Sequence, residues 1–219
     1  MKLLAIGDSF TYGEELLDRN NCWPSLVGKK LNFDVKNLGK PGGSNWRLVR
    51  KLLSTNLEDC DLVLIGWSHY DRFEIADELG VWDIWPGSKR TKSCEEALWR
   101  KKMTQYVGRH HNDEYLYQMY FIYVILVQNW LAQKNNIPFL MMDAFGNHEE
   151  PLRFAPQFKS FFDQVDVNTF IGWPNESMSE WTKNVECGIG GHFLDEGHQI
   201  VADIIYNNLI RLYPNLINI

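Results

Sequence analysis

A hydroxyl becomes a useful nucleophile only when a neighbouring base takes its proton and an acid orients that base. The chain carries those residue types at its two ends. Ser9 stands in Gly7-Asp8-Ser9-Phe10-Thr11-Tyr12-Gly13, directly after the mostly apolar run Lys2-Leu3-Leu4-Ala5-Ile6. Near the other end, Asp195-Glu196-Gly197-His198 precedes a stretch of helical periodicity. An acid and a histidine three apart at a helix start share one side of it. Asp195 can therefore meet one imidazole nitrogen of His198 and leave the other for Ser9. A plainer reading stands beside this one. Asp8, Ser9 and Asp195 are all good helix N-caps, and His198 is then an ordinary first-turn residue. The joint occurrence of these parts with two further loops of suitable chemistry favours acyl transfer, with Asp8 bracing the loop.

Acyl transfer develops an oxyanion, which needs fixed hydrogen-bond donors. Gly42 and Gly43 leave their backbone N–H groups unobstructed, although a tight turn with positive φ explains such a pair equally well. Ser9 supplies its own backbone N–H, and Ser68 offers a hydroxyl in Gly66-Trp67-Ser68-His69-Tyr70-Asp71. Trp67 and His69, on either side of Ser68, are candidate substrate-facing side chains. Trp67, Trp82, Trp85 and Trp173 fall in expected loops, where indole faces stack on sugar rings or acyl groups, or else pack the loops onto the core.

The elements that must hold these groups follow from hydrophobic patterning. Short apolar runs at 2–6, 33–38, 60–65, 137–143 and 167–171 read as strands, the third being almost continuously apolar, as expected of a strand covered on both faces. Helical spacing recurs at 23–31, from Trp46 to Leu53 with Ser44 as cap, from Asp113 to about Lys134, over 156–165 and from Asp195 to about Tyr213. Strands alternating with helices predict an α/β fold: a mostly parallel five-stranded sheet in a three-layer sandwich. Sites in such sheets lie beyond the strand carboxyl ends, which puts Ser9, Gly42, Ser68 and Asp143 on one rim. Residues 72–112 are the least regular. They read as an insertion over one end of the sheet, with an amphipathic helix from about Cys94 to Tyr106.

Composition narrows the function classes. At 219 residues and 45% hydrophobic content, a single domain over 1–219 with one sizeable core is expected. A net charge of -6 without a basic block argues against nucleic-acid partners or an anionic membrane surface. The cysteines, Cys22, Cys60, Cys94 and Cys187, are scattered and form no Cys-x-x-Cys pair, as free thiols in a reducing compartment do. The apolar run at the start stops at Ile6, too short for a signal peptide, and the apolar segment from Tyr115 to Val127 fits a buried helix better than a membrane span. A cytoplasmic protein is the expectation. Gly39-Lys40-Pro41-Gly42-Gly43-Ser44 lacks phosphate-loop spacing, and no dinucleotide Gly-x-Gly-x-x-Gly is present. His110-His111, His148-Glu149-Glu150 and His192 form no closed ligand set, so they read as exposed histidines, with His192 shaping the pocket beside Asp195 and His198.

With these residues in place, the chain resembles the SGNH (GDSL-type) hydrolase family. Gly7-Asp8-Ser9-Phe10 is similar to its first block, with Phe10 where Leu is usual. Asn37-Leu38-Gly39-Lys40-Pro41-Gly42 resembles the second, whose glycine donates to the oxyanion through its backbone. Gly66-Trp67-Ser68 sits where the third block's Gly-x-Asn belongs, and Asp195-Glu196-Gly197-His198 matches the Asp-x-x-His of the last. The blocks occur in family order over nearly the whole chain. The resemblance implies a flavodoxin-like α/β/α sandwich and hydrolysis of an ester or related acyl bond, a carbohydrate O-acetyl ester being one suited substrate. It implies no metal or organic cofactor. Ser9 would attack, His198 take the proton, Asp195 orient His198, and Ser9, Gly42 and Ser68 hold the oxyanion. The departure is Ser68, whose hydroxyl reaches less far than an amide; a lost donor of this kind costs roughly 10²–10³ in rate. Asn45, three residues past Gly42, is the candidate substitute. The same departure defines the competing class, a weakly active or non-catalytic glycan-binding module.

Overall fold

The computed structural model describes residues 1–77, 80–84, 102, 105, 113–134, 137–146, 148 and 156–216. Strand β1 (Lys2–Ile6) lies at the centre, followed by the short helix α1 (Ser9–Tyr12), helix α2 (Trp23–Leu31), strand β2 (Asp34–Asn37), helix α3 (Asn45–Leu53) and strand β3 (Leu62–Trp67). A hairpin of β4 (Phe73–Asp77) and β5 (Gly80–Ile84) comes next. Then follow the long helix α4 (Asp113–Ala132), strand β6 (Phe139–Asp143), the short helices α5 (Lys159–Phe162) and α6 (Met178–Trp181), and the terminal helix α7 (Asp195–Leu212).

The sheet runs β2-β1-β3-β6, and every pairing in it is parallel. Leu3 to Ile6 and all of β3 and β6 are buried, which is why these strands are continuous apolar runs in the sequence. Alternate residues feed opposite layers. Leu4, Ile6, Val63, Ile65 and Trp67 pack with Leu48, Leu52, Phe121, Val124 and Val127 of α3 and α4. Leu3, Ala5, Leu62 and Leu64 pack on the other side with Trp23, Val27, Val201, Ile205 and Leu209 of α2 and α7. The result is an α/β/α sandwich whose strands all end on one rim. Among the described residues, no helix is long and apolar enough to cross a membrane.

Two expectations change. The fifth strand is a single parallel bridge, Met141 to Phe170, on the outer edge of β6. Asp166 accepts from the N–H of Asn168 at 3.0 Å, and this side-chain turn uses the residues that would have lengthened the strand. The segment read as irregular begins with the β4–β5 hairpin. Arg50 of α3 grips Glu74 with two hydrogen bonds (2.8 and 2.7 Å), while Asp83 accepts from the Ser44 N–H and pairs with Lys40. The hairpin is thus clamped to the loop that carries Gly42. The rest of 72–112, including Trp85, Cys94 and the helix expected as far as Tyr106, lies outside the described residues apart from Lys102 and Gln105. Ser44 caps α3 as expected, accepting from Arg47 N–H at 3.1 Å.

Candidate active site

The turn after β1 is built to be tight. Asp8 is the N-cap of α1, its Oδ1 accepting from Phe10 N–H at 3.0 Å. A Cβ at position 7 would sit 2.1 Å from Thr11 Oγ1 and 2.6 Å from the Gly66 carbonyl, so only glycine lets the turn rest on the end of β3. Asn37, at the end of β2, donates to the Thr11 carbonyl at 2.7 Å and accepts from Gly39 N–H at 2.8 Å. Lys40 N–H donates to the Gly7 carbonyl at 3.1 Å. These bonds bring the Gly42 loop against the Ser9 turn. Neither the Ser9 nor the Gly42 N–H donates to another group among the described residues, while Gly43 N–H is taken by the Lys40 carbonyl.

The other expected oxyanion donors have different partners. The Ser68 hydroxyl donates to Asp8 Oδ2 at 3.0 Å, and Arg72 donates to the same oxygen at 3.0 Å. Burial pushes the Asp8 carboxyl up, with Arg72, the Phe10 N–H and Ser68 pulling it back. Asn45 brackets the backbone of Ser68, accepting from its N–H at 2.8 Å and donating to its carbonyl at 2.9 Å. Its amide therefore shapes the loop instead of facing an oxyanion. Trp67, expected to face substrate, is fully buried as the last residue of β3, its indole N–H on Met141 Sδ at 3.4 Å. His69 stays on the rim, stacked on Tyr70 at 4.5 Å and joined through Phe145 to Phe10.

The clearest departure concerns the histidine. His198 projects inward from the first turn of α7 and is 1% exposed. The backbone N–H of Trp23 donates to its Nδ1 at 3.1 Å. Such a donor meets only an unprotonated nitrogen, so the neutral ring holds its proton on Nε2 and has no lone pair left to accept one. Burial lowers its pKa to about 4, against the charge of Asp195 and with a further contribution from His192. Asp195 itself accepts from Asn21 Nδ2 at 2.8 Å. The expected Asp195–His198 pair is therefore a cap-region acid and a core histidine.

Six residues earlier, His192 has the complementary environment. Its ring packs on Phe10, next to Ser9, at 5.1 Å. Its Nδ1 lies 2.9 Å from Glu15 Oε2, and a carboxylate there makes Nδ1 the protonated nitrogen. The neutral ring then keeps its lone pair on Nε2, as a general base requires. Glu14 Oε2 lies 3.5 Å from Nε2. Glu15 also accepts from Gly190 N–H at 2.7 Å and from His192 N–H at 3.2 Å. The Gly190 bond, joined by those of His192, holds its carboxyl below the usual carboxylate range against some desolvation. His192 is largely covered, contrary to the expectation of an exposed ring. The signal that could have found it is its position directly after Gly190-Gly191, a hinge able to aim a side chain, just ahead of the last helix.

His148 is also buried, where exposure was expected. Its Nε2 meets Asp143 at 2.7 Å, its Nδ1 meets the Tyr117 hydroxyl at 3.0 Å, and its ring lies between Tyr120 and Trp173. Tyr120 donates to the other Asp143 oxygen, and burial raises both phenols, keeping them protonated. This closed network anchors the end of β6 behind Phe145. It also accounts for Trp173 as a packing residue. His110 and His111 lie outside the described residues. Among the described residues, no group of three or more His, Cys, Asp or Glu could hold a metal ion.

The parallel sheet covered on both sides, with a serine on the first strand-to-helix turn, is consistent with the SGNH hydrolase fold. Solved structures of that fold match nearly the whole chain. A carbohydrate esterase family 2 enzyme with a carbohydrate-binding domain, from Corynascus thermopiles (Myceliophthora fergusii), matches at a TM-score of 0.56 and 13% identity over 97% of this chain and 66% of that one. An acetyl xylan esterase from the rumen bacterium Butyrivibrio proteoclasticus matches at 0.51 and 13% over 96% and 63%. TesA matches at 0.56 and 15% over 97% and 99%. At such identities the likeness defines the fold. The chain spans just under two thirds of the length of the two carbohydrate esterases, 66% and 63%. It belongs to the family described as Family of unknown function (DUF6071), which matches residues 11–213. No curated protein matches it.

Proposed function

We propose that the chain is a serine hydrolase of acyl esters in which Ser9 attacks the carbonyl and His192 is the general base. The observation that carries this reading is the placement of His192: its Nδ1 lies 2.9 Å from Glu15 Oε2, a contact that favours a proton on Nδ1 and a lone pair on Nε2, and its ring packs beside the Ser9 turn. His192 takes the Ser9 proton as the tetrahedral intermediate forms, then gives it to the departing alcohol. Water repeats the sequence and releases the acid. The N–H groups of Ser9 and Gly42, which donate to no other group among the described residues, suit the oxyanion. Asp8, with Ser68 and Arg72 on its second oxygen, braces the turn.

The carbohydrate esterases that share the fold support a sugar-linked acyl ester as substrate, with His69 on the rim toward the alcohol portion. A panel of acetylated sugars and chromogenic short-chain esters tests this directly. Wild type should turn over at least one of them, and Ser9→Ala and His192→Ala should not, while all three melt alike. Equal turnover in the three proteins would overturn the reading. A non-catalytic binding module is the second reading, supported by the commitment of both Ser68 and Asn45 to other partners. A fluorophosphonate probe separates the two, since an activated Ser9 is labelled and an inert one is not.

A further inference from the structure

The site as described lacks the acid expected three residues before its histidine, because position 189 is isoleucine and its side chain is fully exposed. We propose that Glu15, six residues after the nucleophile, is the positioning acid of His192; this rests on the Ser9–His192 reading above. Three donors converge on its carboxylate: Gly190 N–H, His192 N–H and His192 Nδ1–H, at 2.7, 3.2 and 2.9 Å. The opposing loop is shaped to admit it. A Cβ at Gly188 would stand 2.6 Å from the Glu15 carboxyl carbon, and one at Gly190 would stand 2.9 Å from Oε2. The Glu15 backbone is left-handed, with φ of 71°, a conformation that non-glycine residues rarely adopt.

In the reaction Glu15 stays ionised. It holds the Nδ1 proton, leaves the Nε2 lone pair to take the Ser9 proton, and stabilises the imidazolium that results. Nucleophile and acid therefore lie six residues apart, on either side of α1's C-cap, and only the base comes from the far end of the chain. Among the described residues, the titratable groups around His192 are Glu15 on Nδ1, Glu14 on Nε2, the buried Asp8, and the neutral His198 behind Phe193.

The test compares wild type, Glu15→Gln, Glu15→Asp, Gly190→Ala and Ser9→Ala on the ester identified by the screen, with imidazole nitrogen and proton NMR of His192 in each folded protein. Glu15→Gln should lower kcat by about 10²–10⁴-fold with little change in KM, shift the acidic limb of the pH–rate profile, and abolish the low-field Nδ1–H resonance. Glu15→Asp should recover part of both signals. Gly190→Ala, which leaves Glu15 intact but crowds its carboxylate, should weaken both. Retention of kcat and of the pH profile in Glu15→Gln, with Ser9→Ala inactive, overturns the acid assignment alone. Turnover in Ser9→Ala equal to wild type overturns the hydrolase reading instead. The NMR measurement decides the orientation independently of turnover: a His192 protonated on Nε2 in wild type contradicts the proposal, and one protonated on Nδ1 that switches in Glu15→Gln supports it.

Discussion

His192 and His198 stand six residues apart and present opposite chemistry. The first lies on a glycine-rich loop, partly wet, with carboxylates at both nitrogens. The second is on the first turn of α7, in the apolar layer with Trp23 and Phe193. One has a carboxylate 2.9 Å from its Nδ1; the other has given its Nδ1 lone pair to a backbone N–H. The difference teaches that a histidine's role follows from what its second nitrogen meets, and that spacing to an acid in the sequence is a weak guide to that partner.

The sharpest way to break this contrast is to remove the groups on the rim. Ser9→Ala and His192→Ala should each lower kcat by roughly 10³–10⁶-fold without loss of stability, measured on the ester that wild type cleaves. Acid titration probes the core histidine next. Its folded pKa falls from the ordinary 6.5 to about 4, so the unfolded chain binds the extra proton between those values. The stability this contributes is complete above pH 6.5 and is lost as pH falls toward 4, by up to about 3 kcal/mol. Urea melts across that window should show the slope in wild type and a flatter one in His198→Gln.

A smaller effect is expected from His198→Ala. It strands the buried N–H of Trp23, which costs about 1–3 kcal/mol of stability, while kcat stays within about threefold of wild type. Loss of turnover with unchanged stability would return catalysis to His198. Smallest is Asp195→Asn. It trims a favourable charge from the start of α7, worth about 0.3–1 kcal/mol, and should leave kcat unchanged.

The layered fold was legible because strands buried on both faces must be apolar, and Leu3 to Ile6, Leu62 to Ile65 and Phe139 to Met142 are. The Ser44 cap and the terminal helix were legible for similarly local reasons. The β4–β5 hairpin was not, since its place depends on the pairs Arg50–Glu74 and Lys40–Asp83, contacts between segments distant in the chain. The burial of Trp67 was not legible, because the apolar run in the sequence reads as ending at Ile65. Two more strand residues turn the indole toward Tyr120 and Met141.

By itself, then, the order of residues determined the parallel α/β layers and the tight Gly7–Gly13 turn with Ser9 on it. These depend on burial and backbone sterics, which act over a few residues. Only the tertiary structure decided which histidine faces that serine's turn and which carboxylate meets it. Those choices depend on a left-handed Glu15 fitting between glycines that lie 173 and 175 positions away, and no local pattern of residue types encodes such a meeting.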